Sequence, residues 1–131
     1  MYLIDTNICS YLISRRFPSV NRAWREKDPS QIFISSIVAG ELAYGAAHST
    51  RVESNRANLE LFLSTVQVLP WGMNTIWMYA KEKSRLRKLG TPTGELDLLL
   101  GCQALAENAI FVTNNTREFE RIEGLKLENW V

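Results

Sequence analysis

The sequence predicts an α/β domain in which helices cover both faces of a central parallel sheet. Short runs of continuous apolar residues, typical of strands buried on both faces, alternate with longer segments of helical periodicity. The 131 residues suit one domain, because domains commonly span about 100 to 200 residues. No repeat, low-complexity tract or linker interrupts the alternation, so we expect residues 1–131 to form a single domain.

The first half of the chain begins with a short strand that runs directly into an acidic residue. Proline at position 18 should break the first helix, and Ser36 can cap the helix that follows the second strand. The predicted elements are strand Tyr2–Ile4, helix Ile8–Phe17, helix Asn21–Lys27, strand Gln31–Ser35, helix Ile37–Ala47 and helix Ser54–Ser64.

The second half continues the alternation and ends in an extended segment. Gly90 is a good residue to end the longest helix. The predicted elements are strand Val66–Leu69, helix Met73–Leu89, helix Glu95–Asn108, strand Ala109–Val112, helix Arg117–Ile122 and the extended segment Leu125–Trp130.

Composition limits the kinds of partner and metal that the protein can use. The net charge is only +1, so a nucleic acid would have to be bound by a local basic patch. With one histidine and two distant cysteines, Cys9 and Cys102, a divalent ion would need oxygen ligands, which favours Mg²⁺ or Mn²⁺. No apolar run approaches the roughly 20 residues that span a bilayer, and we expect a cytoplasmic protein with no membrane contact.

Three acidic residues begin or nearly begin helices at points that a parallel sheet brings to one edge. Asp5 follows the first strand, Glu41 lies in the first turns after the second, and Asp97 lies in the first turn of a later helix. Each could simply cap its helix or complement the helix dipole. Together they would repel one another unless a cation neutralised them, which indicates a metal site.

Four segments resemble the PIN-domain family and, within it, the VapC toxins of bacterial toxin-antitoxin pairs. They are Leu3–Asn7, Ser36–Gly45, Pro92–Asp97 and Val112–Phe119, which occur in the family's order over nearly the whole chain. The resemblance implies a three-layer α/β/α sandwich and an endoribonuclease that depends on Mg²⁺, for which Mn²⁺ may substitute. It also implies toxin dimers and a cognate VapB antitoxin. In the closest subgroup the substrate is initiator tRNA, which is cut in the anticodon region.

The resemblance assigns Asp5, Glu41 and Asp97 to the family's acidic positions. Asp5 and Asp97 are expected to bind the metal directly, whereas Glu41 binds it through water or acts as the base. Thr6 and Thr113 would hold these carboxylates by hydrogen bonds, although both could be ordinary turn residues.

The fourth acidic position of the family is occupied here by Asn115. Its amide oxygen could still bind a metal or orient a water. Glu118 and Glu120 are close enough in sequence to substitute, but the spacing of Asn115 and Glu118 also fits helix capping, which we favour for Glu118. The number of metal ions therefore stays open.

A basic run precedes the Asp97 loop and is a candidate RNA-binding surface. The run consists of Lys81, Lys83, Arg85, Arg87 and Lys88, with additional arginines at positions 15, 16, 22 and 25. Such a run is equally typical of a solvated helix face. Trp24, Trp71 and Trp77 could stack on bases, although packing in the core or in a dimer is an alternative for at least two of them.

Two other functions are compatible with parts of the sequence. A phosphatase of the haloacid dehalogenase type also has an aspartate after an apolar strand, but its second aspartate would fall at Asn7. A catalytically weak, PIN-like module that only binds protein or RNA would account for the missing fourth carboxylate. For the nuclease, we expect the antitoxin to inhibit by inserting a basic side chain among the three carboxylates.

Overall fold

The computed structural model describes residues 1–131 and contains one five-stranded sheet in which every pair of neighbouring strands is parallel. The spatial order is β3-β2-β1-β4-β5. The strands are β1 (Tyr2–Ile4), β2 (Ile32–Ser35), β3 (Gln67–Leu69), β4 (Ile110–Val112) and β5 (Lys126–Glu128). The α/β class and the central parallel sheet predicted from the sequence are confirmed.

Seven α-helices connect and cover the strands, and a single 3-10 turn, Pro29–Gln31, precedes β2. The helices are α1 (Thr6–Ser14), α2 (Pro18–Glu26), α3 (Ser36–Ala47), α4 (Val52–Leu63), α5 (Ile76–Lys88), α6 (Glu95–Ala106) and α7 (Thr116–Phe119). None of them is long and apolar enough to cross a bilayer.

Strand β1 lies at the centre of the sheet, and its register fixes the edge where the acidic residues lie. Leu3 pairs with Phe33 of β2 on one side and with Phe111 of β4 on the other. Beyond the paired residues, the Asp5 N–H donates to the carbonyl of Val112 at 2.9 Å. The carboxyl ends of β1 and β4 are therefore level, and the residues that follow them emerge side by side.

The core is formed by the apolar strands and by the inner faces of the helices. Leu3, Ile4, Ile34 and Phe111 are fully buried, as expected of strands covered on both faces. Helix α6 packs especially closely: a Cβ atom at Gly101 would lie 2.3 Å from Ile122 Cδ1. The two cysteines are buried and unpaired.

The ends of the first three helices differ from the sequence prediction for local reasons. Pro18 begins α2 instead of merely ending α1, because proline lacks the N–H that the first helical position leaves unpaired. Helix α1 ends at Ser14, and Arg15 follows it in the left-handed conformation with φ of 57°. The N-cap of α3 is Ser35, not Ser36, since the Ser35 hydroxyl accepts the Ile37 N–H at 3.1 Å.

The remaining differences concern lengths and the final segment. Helices α5 and α6 are shorter than predicted, because residues 73–75 and 107–108 form turns. Helix α7 is likewise only one turn. The predicted extended segment Leu125–Trp130 contains β5, which joins the sheet beside β4.

Candidate active site

Asp5 lies at the end of the central strand, and both of its carboxylate oxygens accept hydrogen bonds. Oδ1 accepts the Thr6 N–H at 2.8 Å, and Oδ2 accepts the Thr113 hydroxyl at 2.8 Å. Only 8% of the residue is exposed. Burial raises the pKa of Asp5, the two hydrogen bonds oppose that rise, and the charge of Glu41 adds to it. Asp5 therefore both caps α1 and presents a desolvated carboxylate.

Glu41 on α3 is linked to Asp5 through Thr6, the first residue of α1. The Thr6 hydroxyl donates to Glu41 Oε1 at 2.7 Å. Thr6 thus contacts Asp5 through its backbone and Glu41 through its side chain. The hydrogen bonds that we expected from Thr6 and Thr113 are present, and they orient two carboxylates that are far apart in sequence.

Asp97 lies in the first turn of α6, near enough to Asp5 and Glu41 to feel their charges. Its pKa is raised to about 6, first by burial and then by the charges of Asp5, Glu118 and Glu41. Gly94, at the N-terminus of α6, lies against this carboxylate, since a Cβ atom there would be 3.7 Å from Asp97 Oδ2. The structure thus brings positions 5, 41 and 97 into one electrostatic environment.

None of these three carboxylates forms an ion pair with a lysine or arginine. Oxygen ligands with excess negative charge and no cationic side chain fit a hard divalent ion such as Mg²⁺ or Mn²⁺. No three acidic, histidine or cysteine side chains stand close enough to form a ready-made metal site. The carboxylates would have to move toward a bound ion from the positions that they occupy here.

Near the fourth acidic position of the family, the structure contradicts the capping role that was predicted for Glu118. Glu118 does not cap α7: the Asn115 N–H donates to the Thr113 hydroxyl at 3.0 Å, and the side chain of Asn115 makes no capping bond. The Glu118 carboxylate instead points toward α6, where it accepts the Gly94 N–H in a weak contact of 3.5 Å. Glu120 is exposed and is not among the charges that shift Asp97.

The capping role predicted for Glu118 is therefore wrong, and its carboxylate lies near Asp97 instead. The signal that could have identified it was the departure at Asn115, which leaves Glu118 as a carboxylate one turn further along. Its charge raises the pKa of Asp97, whereas Asn115 is exposed at the edge of the crevice.

The basic run on α5 is partly used inside the chain. Lys83 pairs with Glu95 at 3.2 Å, and Arg85 pairs with the buried Glu82 at 2.8 Å. Lys81, Arg87 and Lys88 are exposed and form no ion pair. A second set of exposed arginines without ion pairs lies at the end of α1 and on α2, namely Arg15, Arg16, Arg22 and Arg25.

The tryptophans differ in their surroundings. Trp71 donates its indole N–H to the Leu99 carbonyl at 2.9 Å, and Trp24 packs against Phe62. Trp77, in contrast, is 79% exposed. Only Trp77 therefore presents most of its ring to a partner.

Two neighbouring cavities lie in the groove between α3 and α4. The first is lined by Thr6, Glu41 and Leu42 and by Leu59 of α4. The second shares Leu59 and is largely apolar, including Val52. Of the three acidic residues, Glu41 is the one that lines this groove.

The sequence matches a known domain family and is similar to curated relatives. The family model described as "PIN domain" matches residues 2–125. "Ribonuclease VapC2" of Rickettsia felis is 40% identical over 131 residues, which cover 99% of this chain and 98% of the relative. "tRNA(fMet)-specific endonuclease VapC" of Shigella flexneri is 36% identical over 129 residues, with coverage of 98% and 97%.

Solved structures show the same similarity in three dimensions. The crystal structure of VapBC2 from Rickettsia felis, bound to a promoter DNA fragment, contains a chain with a TM-score of 0.92 and 37% identity, and the match covers 99% of this chain and 98% of that one. The structure of DNA-bound VapBC from Salmonella typhimurium gives a TM-score of 0.93 and 34% identity, with coverage of 99% and 98%.

Proposed function

Because this chain belongs to the PIN-domain family and its relatives are VapC ribonucleases, we propose that it is the toxin of a VapBC pair, an endoribonuclease that hydrolyses RNA with a divalent cation held by Asp5 and Asp97. The observation that carries the proposal is that Thr6 joins Asp5 and Glu41 by hydrogen bonds, and that the charges of both residues add to the rise that burial causes in the pKa of Asp97. We propose initiator tRNA as the substrate, by similarity to the relative from Shigella flexneri.

The metal site of the proposal uses the two aspartates directly. Asp5 is oriented by Thr6 and Thr113, so its carboxylate has little freedom to turn away from the crevice. The Asp97 carboxylate accepts no hydrogen bond from another side chain or from the backbone, so its oxygens are free to bind a cation. A bound Mg²⁺ would neutralise the phosphate and lower the pKa of a water molecule.

Glu41 is the proposed general base. Its Oε1 accepts the Thr6 hydroxyl, which leaves Oε2 available to orient the attacking water and take its proton. Glu118 occupies the fourth position in place of Asn115 and adds negative charge next to Asp97. Asn115 keeps a secondary role at the edge, where its amide could orient a water.

RNA would be bound by exposed cations that form no ion pair within the chain. We assign backbone contacts to Lys81, Arg87 and Lys88 of the α5 run, since Lys83 and Arg85 are already engaged. We assign the same role to the exposed arginines of α1 and α2. Phosphate contacts of this kind supply affinity without base specificity.

The proposed protein partner is a cognate VapB antitoxin. The similar structures from Rickettsia felis and Salmonella typhimurium are VapBC complexes, which supports such a partner for this chain. Its inhibitory segment would occupy the groove between α3 and α4 and insert a basic side chain, an arginine, beside Glu41. The exposed Met73 and Trp77 are available for a toxin homodimer.

The decisive experiment is RNA cleavage by Asp5→Asn and Asp97→Asn variants, with Glu120→Gln as the matched control. We expect both aspartate variants to lose cleavage of initiator tRNA with an unchanged circular dichroism spectrum, and the control to retain it. Full cleavage by the purified Asp5→Asn, Asp97→Asn double variant would refute the proposal.

A second candidate function, a non-catalytic binding module, rests on Asn115, which stands where the family has its fourth carboxylate. Calorimetric titration with Mn²⁺ separates the two functions. Binding that disappears in Asp97→Asn supports the nuclease, whereas no heat with the unaltered protein supports the module.

A further inference from the structure

Arg121 follows α7 and contacts both segments that surround Asp97. Its Nη1 donates to the Pro92 carbonyl at 3.3 Å, in the loop that leads into α6. The same nitrogen lies 3.6 Å from Glu118 Oε2. One side chain therefore contacts the loop before Asp97 and the acidic residue beside it.

Arg121 is itself fixed through a chain of contacts to α5. The Arg85 Nη2 group donates to the backbone carbonyl of Arg121 at 2.7 Å. Arg85 also binds the carboxylate of Glu82, which is only 3% exposed and accepts the Glu123 N–H at 3.3 Å. Burial would raise the pKa of Glu82, but the hydrogen bonds from Arg85 and Glu123 outweigh it and keep that carboxyl ionised.

The loop before Asp97 is also fixed from the other side. The Tyr79 hydroxyl and the Lys83 ammonium group of α5 both bind the Glu95 carboxylate. Glu95 and Pro92 are thus each attached to a different part of the protein, and Asp97 follows them in the first turn of α6. These contacts hold the chain at Pro92 and at Glu95, on both sides of Gly94, which lies against the Asp97 carboxylate.

We propose that Arg121 is a positioning residue of the active site: it holds the Pro92–Gly94 loop and the Glu118 carboxylate so that Asp97 faces Asp5 and Glu41. This inference rests on the function proposed above. An exposed arginine–glutamate pair alone contributes little. The difference here is that Arg121 also contacts backbone of the loop and is held through its own carbonyl.

Removal of the Arg121 side chain can raise or lower the affinity for a cation. The direction of the change distinguishes a positioning role from a purely electrostatic one. Removal of a positive side chain near an acidic crevice should tighten cation binding if only the electrostatic field matters. Loss of position should weaken it, because the carboxylates would no longer face one ion. Outer contacts that orient metal ligands commonly change metal affinity about 10- to 100-fold.

The first experiment is calorimetric Mn²⁺ titration of Arg121→Gln and Arg121→Lys, with Arg117→Gln, an exposed arginine on the adjacent helix α7, as the control. We expect Arg121→Gln to weaken Mn²⁺ binding by about 10-fold or more. Arg121→Lys should recover part of this affinity, and Arg117→Gln should match the parent protein. Unchanged or tighter binding by Arg121→Gln would overturn the inference.

The second experiment uses metal-free protein, so its result does not depend on the proposed activity. Hydrogen exchange of the segment 91–97 should accelerate in Arg121→Gln while the strands keep their protection. If exchange in this segment is unchanged, Arg121 does not position the loop. If the parent protein binds no Mn²⁺ but exchange still accelerates, the proposed function fails and the positioning contact stands.

Discussion

The hydroxyl of Thr113 donates to Asp5 Oδ2 at 2.8 Å, although 108 positions separate the two residues in the sequence. The bond is buried and connects the ends of the neighbouring strands β1 and β4. The same hydroxyl accepts the N–H of Asn115 at 3.0 Å, so its hydrogen-bonding direction is fixed. The orientation of the central aspartate is therefore determined by the strand beside it.

Substitution of Thr113 by valine should weaken metal binding without unfolding the domain. Valine keeps the shape but leaves Asp5 Oδ2 without its donor, and we expect Mn²⁺ affinity to fall about 10- to 100-fold. Isothermal titration calorimetry measures the change. Thr113→Ser keeps the hydroxyl and should stay near the parent value. Equal affinities for the valine and serine variants would contradict the assigned role.

Substitution of Asp97 by asparagine should stabilise the metal-free protein at neutral pH. The pKa of Asp97 is raised from 3.8 to about 6, so ionisation of this carboxyl opposes folding. We expect Asp97→Asn to increase the free energy of unfolding by about 1 to 2 kcal/mol at pH 7.5, after allowance for solvent screening. Urea denaturation in the presence of a chelator measures it.

The pH dependence of this increase in the free energy of unfolding is the control for the Asp97→Asn experiment. Below pH 3.8 the carboxyl is protonated in both the folded and the unfolded chain, so the variant has no advantage there. As the pH rises from about 4 to 6, the unfolded chain ionises first and the parent protein loses stability relative to the variant. A gain that is the same at pH 4.5 and pH 7.5 would show that charge is not its cause.

Gly101 should be intolerant of a methyl group. A Cβ atom at this position would lie 2.3 Å from Ile122 Cδ1 and 3.4 Å from Leu125 Cδ2. We expect Gly101→Ala to destabilise the domain by about 1 to 3 kcal/mol through overpacking. Gly40 is also helical, but its Cβ would meet nothing within 4 Å. Gly40→Ala should therefore stabilise by about 0.5 to 1 kcal/mol in the same denaturation assay.

The arginines of α2 should contribute to RNA binding but not to the chemical step. Arg22 and Arg25 are exposed and form no ion pair. We expect the Arg22→Gln, Arg25→Gln double variant to raise KM and leave kcat nearly unchanged. The slope of log affinity against log salt should become shallower by about 1.4 if each arginine contacts one phosphate of a single strand.

The control for this experiment is Arg56→Gln on α4, where the arginine already pairs with Glu60 at 3.0 Å. Its salt dependence should match that of the parent protein. An unaltered slope in the double variant would assign RNA binding to another surface.

The convergence of Asp5, Glu41 and Asp97 could be predicted because it depends only on the order of the elements. Parallel strands end at one edge of the sheet, and the three residues follow such ends or begin helices nearby. Their shared electrostatic environment agrees with that argument. Their roles as metal ligands remain a prediction.

The role of Glu118 could not be read from its neighbours in sequence. Local spacing fits a capping box, but the contacts of its carboxylate are with Gly94, which is 24 positions away, and with Arg121. Glu82 presents the same difficulty, because it stands in a basic run that resembles a solvated helix face. Its burial is visible only once α5 is packed against residues 121–123.

The central place of β1 determines when the protein can acquire activity during its own synthesis. This first strand pairs with β4, whose residues 110–112 are translated near the end of the chain. Until β4 emerges from the ribosome, Asp5 has no Thr113 beside it and the neighbouring acidic residues have no common edge. A chain that has been synthesised only as far as α6 therefore holds Asp5, Glu41 and Asp97 but not the strand that completes their common edge.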